Sequence, residues 1–164
     1  MADIVITLQE GKQENIEKYL SIFNECKHES YISHGEVLCG RATHNFKWTD
    51  DILAQMKDEF TDDLTSENYT VLEILRLGEI AGFAIIELYK PEKVAVLDDI
   101  MIAKDAQGKG IGTEALRLIE AYLQSKNFGI LLLESGVKNK GAHEFFEKNG
   151  FTQVSVEYAK RLKT

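Results

Sequence analysis

Two neighbouring features of this sequence have the residue types for chemistry. One is the run Gln107-Gly108-Lys109-Gly110-Ile111-Gly112; the other is the pair Asp98-Asp99 just before it. Glycines lack Cβ, so the backbone of the run can turn sharply and come close to a ligand. A helix starting here presents unpaired N–H groups and the positive end of its dipole, a cradle for phosphate or pyrophosphate. Without a ligand, the same run is a tight strand-to-helix turn. It lacks the Gly-x-x-x-x-Gly-Lys-Ser/Thr spacing of a Walker A loop. It also lacks the third glycine of a dinucleotide fingerprint, although Ala115 could serve as the third small residue. Asp98 and Asp99 interrupt an otherwise apolar stretch, 94–102. Adjacent strand residues face opposite sides, so one aspartate is expected in a cleft and the other on the far face of a sheet. The alternative is that one of them pins a bulge.

A third cluster is Cys26, His28, His34, Cys39 and His44, within nineteen residues. Its spacings match no zinc pair set, except loosely Cys39 to His44, so no metal is expected. Hydrogen-bonded or exposed structural histidines are the plainer reading, with His34 a candidate for an acceptor-pocket wall. Two cysteines make no disulfide framework and suit a reducing cytoplasm. No basic segment leads into an apolar run, and no apolar stretch nears the roughly 20 residues that span a bilayer.

The net charge is -8, and residues 1–70 carry all of it, with 14 Asp/Glu against 6 Lys/Arg. Nucleic acid is excluded as a partner, because phosphate binding needs clustered Lys and Arg. An acidic half is compatible with a cationic substrate, and equally with a solvated surface that keeps the chain soluble.

The elements that must position these residues follow from periodicity. Asp3–Leu8 reads as a strand, and Ile16, Leu20 and Phe23 mark a helix from about Gln13 toward Cys26. Residues 27–47 read as loops with room for a short helix. Thr49 is the expected N-cap of a helix that buries Ile52, Leu53, Met56 and Phe60. Strands are expected over Tyr69–Leu75, Ile80–Tyr89 and Val94–Ile102. A helix with Leu116, Ile119 and Leu123 on one face follows, then a short buried strand, Ile130–Leu133. Asn139 can cap a helix carrying Ala142, Phe145 and Phe146, which Gly150 ends; Val154–Leu162 is a last strand. With no repeat, no low-complexity tract and a single proline, Pro91, residues 1–164 read as one α/β domain of α+β type.

Three segments together resemble the GNAT superfamily of N-acetyltransferases. They are Ala81-Gly82-Phe83-Ala84; Leu97 to Ile102 with the loop Gln107–Gly112; and Asn139–Ala142 with Phe145, Phe146, Gly150 and Phe151. The likeness covers roughly residues 69–155. It implies a mixed, mostly antiparallel twisted sheet flanked by helices and splayed between the strand ending at Ile102 and the strand beginning at Ile130, where acetyl-CoA binds. Residues 1–68 would form the acceptor side. By the same resemblance, the amides of Gln107, Gly108, Lys109, Gly110, Ile111 and Gly112, with Thr113, would hold the coenzyme pyrophosphate. Ile100, Met101 and Ile102 would offer backbone groups to the pantetheine arm, and Asn139 would bond it from the other side.

The implied reaction is acetyl transfer to an amine, which must lose a proton before it attacks. Asp98 and Asp99 are the candidates to orient the amine or take its proton. The family often carries a tyrosine, the acid that protonates the leaving thiolate, where this chain has Phe146. Phe146 can wall the coenzyme site but cannot donate a proton. Tyr158 or water could substitute, and a coenzyme A thiol is already a fair leaving group. The departure keeps a non-catalytic acyl-CoA sensor as an alternative. Neither cysteine lies near the coenzyme motif along the chain, which favours direct transfer in a ternary complex. A small cationic amine, such as a polyamine or aminoglycoside, is the expected acceptor, with a protein lysine or N-terminus next. Similar proteins often form homodimers, but the sequence identifies no interface.

Overall fold

In the computed structural model, which describes residues 5–163, five strands form one sheet in chain order. They are β1 (Ile6–Glu10), β2 (Tyr69–Arg76), β3 (Glu79–Tyr89), β4 (Val94–Ile102) and β5 (Ile130–Leu133). Neighbours run antiparallel except β4 and β5, which are parallel. Hairpins join β2 to β3 and β3 to β4, whereas the parallel step from β4 to β5 needs a crossover, supplied by helix α4 (Ile111–Ser125). The first strand starts later than the sequence suggests, and Asp3 and Ile4 of that expectation lie outside the described residues.

Helices α1 (Ile16–Cys26) and α3 (Ile52–Asp63) cover one face of the sheet; a short α2 (His34–Leu38) lies between them in the chain. That face buries Tyr19, Phe23, Met56 and Phe60 against Phe83 and Met101. Helix α4 and α5 (Lys140–Lys148) cover the other, where Leu116, Ile119 and Leu123 pack on Leu72, Ile86 and Leu97. Among the described residues, no helix is long and apolar enough to cross a membrane.

Four expectations change. Thr49 does not cap α3: Asp51 holds the cap position, and the Thr49 hydroxyl donates instead to the Arg41 carbonyl at 3.1 Å. Leu53 sits outside the buried stripe of Ile52, Met56 and Phe60. Among the described residues, Val154–Leu162 pairs with no strand. Its far end is held by side chains: Arg161 donates to Asn45 Oδ1 at 2.7 Å, and Glu157 pairs with His34 Nδ1 at 2.7 Å. Without a neighbour to cover it, β5 is an edge strand rather than a buried one, and Ile130 and Leu132 are 55% and 41% exposed.

Candidate active site

The parallel pairing of β4 with β5 stops early. It joins Val94–Leu97 to Ile130–Leu133, and β4 then runs on to Ile102 with its β5-side edge unpaired. An extended ligand with amide groups can occupy such an edge as a strand would. The gap leads to the glycine loop. Gly108 and Gly110 have φ of 74° and 75°, a left-handed backbone that favours glycine, and Gly110 is the N-cap of α4. The first turn of α4 therefore aims the N–H groups of Ile111, Gly112 and Thr113 out of the helix end, without intrahelical partners. Gly112 permits a close approach on the other side: a Cβ there would lie 3.1 Å from Phe145 Cζ. Gln107 braces the loop by donating to the Ile102 carbonyl at 2.9 Å.

Gap and loop open into one cavity of about 1040 Å³. The candidate catalytic and coenzyme residues line it except Lys109 and Tyr158, and His34, expected in the acceptor wall, does not line it either. Lys109 folds back, donating to the Asp105 carbonyl at 2.7 Å. Tyr158 is 92% exposed on the unpaired C-terminal segment, so the structure does not bring it to the site. Asn139 caps α5, accepting from the Ala142 amide at 3.3 Å, and still faces the cavity. Phe146 stacks against Phe145 and Phe151, with ring centroids 5.3 and 5.4 Å away. Tyr31 and Tyr69 are the phenols in the wall.

The two aspartates do not face opposite ways. Across β3 and β4, Ile86 pairs with Leu97 and Ile85 with Asp99, leaving Asp98 as the extra residue of a β-bulge. The bulge reverses the alternation. Leu97 before it faces α4, whereas Met101 beyond it faces α1 and α3. Asp98 and Asp99 consequently both line the cavity.

Over this bulge sits Arg41, which the sequence did not single out. Its guanidinium donates to Glu59 at 2.9 Å and lies 3.6 Å from Asp99 Oδ2 and 3.8 Å from Glu36. The Asp99 contact is too long for a hydrogen bond, and that Oδ2 has no partner. Burial pushes the Asp99 carboxyl up to about 7; Arg41 pulls it down, and Glu59 and Glu36 push it up again. Asp98 is pushed up to about 6, first by burial and then by Glu87 and Glu59. Among the described residues, the cavity wall holds seven carboxylates and one cationic side chain, Arg41. Only the acidic excess of residues 1–70 hinted at this; which carboxylates converge depends on how α3 packs against the sheet.

Cys26 is close to the coenzyme motif in space, contrary to its distance along the chain. Its thiol donates to the Ile102 carbonyl at 3.3 Å and lies 3.6 Å from the Gln107 amide nitrogen. Burial raises its pKa, which disfavours the thiolate and hence nucleophilic attack. No three members of the Cys/His cluster bring ligand atoms together among the described residues. His34 instead meets Glu134 and Glu157.

Comparison with known proteins agrees with this architecture. The Acetyltransferase (GNAT) family pattern matches residues 13–151. A stretch of 64 residues, 39% of this chain, is 36% identical to an uncharacterised N-acetyltransferase of Methanocaldococcus jannaschii; it spans only 28% of that protein. The aminoalkylphosphonate N-acetyltransferase of Salmonella typhimurium is 22% identical over 110 residues, covering 65% of this chain and 71% of that one. The PaiA N-acetyltransferase of Thermoplasma acidophilum, solved in complex with coenzyme A, superimposes with a TM-score of 0.70 at 17% identity over 93% of both chains. A splayed β4–β5 edge, a glycine loop opening α4 and a match over most of the chain converge: this protein belongs to the GNAT family of acetyltransferases.

Proposed function

We propose that the chain is an acetyl-CoA-dependent N-acetyltransferase whose acceptor is a small cationic amine, which attacks the thioester directly in a ternary complex. One observation carries the choice of acceptor: the wall facing the coenzyme gap holds seven carboxylates against Arg41 alone. Residues 69–155 form the coenzyme side of this reading and residues 1–68 the acceptor side. The amides of Gln107–Thr113 take the pyrophosphate, the open edge at Ile100–Ile102 and Asn139 take the pantetheine arm, and Phe146 walls it. Acetyl-CoA, when bound there, supplies the acetyl group as a thioester.

Asp98 and Asp99 orient the ammonium and accept its proton, directly or through water. Aspartate is ordinarily too acidic for this, but carboxyls pushed up to about 6 and about 7 are matched to neutral pH. Amine attack forms the C–N bond as the C–S bond breaks, and the proton held by the aspartates is then available to the departing sulfur. Tyr158 has no part in this scheme. The zwitterionic substrate in the Salmonella relative's name fits less well, because Arg41 is already engaged by Glu59, Asp99 and Glu36.

The test is thiol release from acetyl-CoA with and without polyamines, aminoglycosides, amino acids and Lys peptides. Release that depends on small polycationic amines is the expected result. Release with Lys peptides alone would move the acceptor to a protein. Coenzyme binding without release across the panel would favour the sensor. Mass spectrometry of protein incubated with acetyl-CoA alone should find no acetyl group on Cys26; a stoichiometric adduct would overturn direct transfer.

A further inference from the structure

The cavity carries more negative charge than one ammonium group can answer. Apart from Asp98 and Asp99 at the bulge, Glu59 and Asp63 enter it from α3. Glu59 has Arg41. Asp63 has no such partner: it is 7% exposed, it lines the cavity, and its Oδ2 makes no hydrogen bond. A buried oxygen left unsatisfied is costly, more so when charged, so it is better explained by a ligand than by packing. Burial and then nearby carboxylates, Glu59 first and then Asp98, disfavour the charged form of Asp63, and among the described residues it makes no salt bridge.

The shape of the cluster limits the occupant. Among the described residues, no three carboxylates of the cavity bring oxygens within 4.8 Å of one another, so they do not form a single metal cage. They are spread along the wall, as separate ammonium groups on one flexible chain would require. We propose that Asp63 marks a second cation subsite, which holds the distal ammonium of a diamine or polyamine while the reacting amine lies at Asp98 and Asp99. The position of the reacting end rests on the acetyltransferase reading above; the binding of two ammonium groups does not. Asp63 is then a residue that selects acceptors rather than one that performs chemistry.

Calorimetric titration separates the two ideas. The protein, saturated with coenzyme A, is titrated with linear diamines from butane-1,4-diamine to hexane-1,6-diamine and with the matched monoamines, before and after Asp63→Asn. At least one diamine should bind tenfold or more tightly than its monoamine, and Asp63→Asn should erase most of that advantage. Coenzyme A affinity and the melting curve serve as folding controls for the variant. Equal affinities for diamine and monoamine across the series would overturn the subsite without recourse to any variant. An advantage that survives Asp63→Asn in a folded protein would also overturn the assignment. If diamines bind as expected while no amine releases thiol, the transferase reading fails and the subsite stands.

Discussion

Asp63, Asp98 and Asp99 are acids whose surroundings favour the proton. Burial is the largest cause for each, and neighbouring carboxylates add to it, pushing Asp63 and Asp99 to about 7 and Asp98 to about 6 from 3.8. Because the shifts are upward, the folded protein keeps protons that the unfolded chain releases near 3.8. Their stabilising contribution is full below that value and is lost as pH rises through about 6 to about 7. The melting temperature should therefore drop between mildly acid and mildly alkaline buffer, and Asp63→Asn should flatten the drop. Scanning calorimetry at the two pH values decides it; an Asn variant less stable than the parent on the alkaline side would mean that the carboxylate already has a partner. In the proposed reaction the same residues would set the activity profile. Replacing Asp98 or Asp99 by Asn should lower kcat/KM by about 100-fold or more, the scale of general base catalysis. The variant that has lost the base also loses the acidic limb between about 6 and about 7. If both variants keep that limb, neither aspartate takes the proton.

Among the elements, the turn from β4 into α4 bears most on the coenzyme. Gly110 caps α4 at a φ of 75°. Gly110→Ala should cost about 1–2 kcal/mol for a left-handed alanine and should raise the KM for acetyl-CoA more than that for the amine, which steady-state kinetics can separate. Much of this frame was legible beforehand. The apolar stretch Val94–Ile102 and the run Ile130–Leu133 are strands with the bounds their sequence suggests, and Gly150 ends α5 at a φ of 88°. Strict alternation was the wrong guide inside β4, because Leu-Asp-Asp-Ile does not say which residue a bulge will exclude. That choice is made by the register with β3, a tertiary fact. Arg41 and Asp63 were equally hidden, since their roles arise only where α3 and the loop before it cross the bulge. Val154–Leu162 shows the converse: an alternating pattern is not a strand until a neighbour accepts its hydrogen bonds.

Charge is divided across the whole molecule as the proposed pair of substrates would require. Residues 1–70 carry the entire net -8, and they supply Glu36, Glu59, Asp62 and Asp63 to the cavity. The remainder is neutral and presents a helix N-terminus where a polyanionic coenzyme would lie. One acidic surface can thus draw a cation toward the bulge without covering the coenzyme loop with like charge. Such attraction acts over a Debye length of about 8 Å at physiological ionic strength and shrinks to about 3 Å at 1 M. Raising salt across that range should increase the KM for a cationic amine severalfold. The value of kcat should stay nearly constant, because charges buried around the reacting amine are screened far less than the surface that gathers it. Initial rates at fixed saturating acetyl-CoA, with the amine varied at each salt concentration, separate the two parameters. A kcat that falls while KM holds would place the decisive charges at the chemical step and leave the acidic surface with only its solvating role.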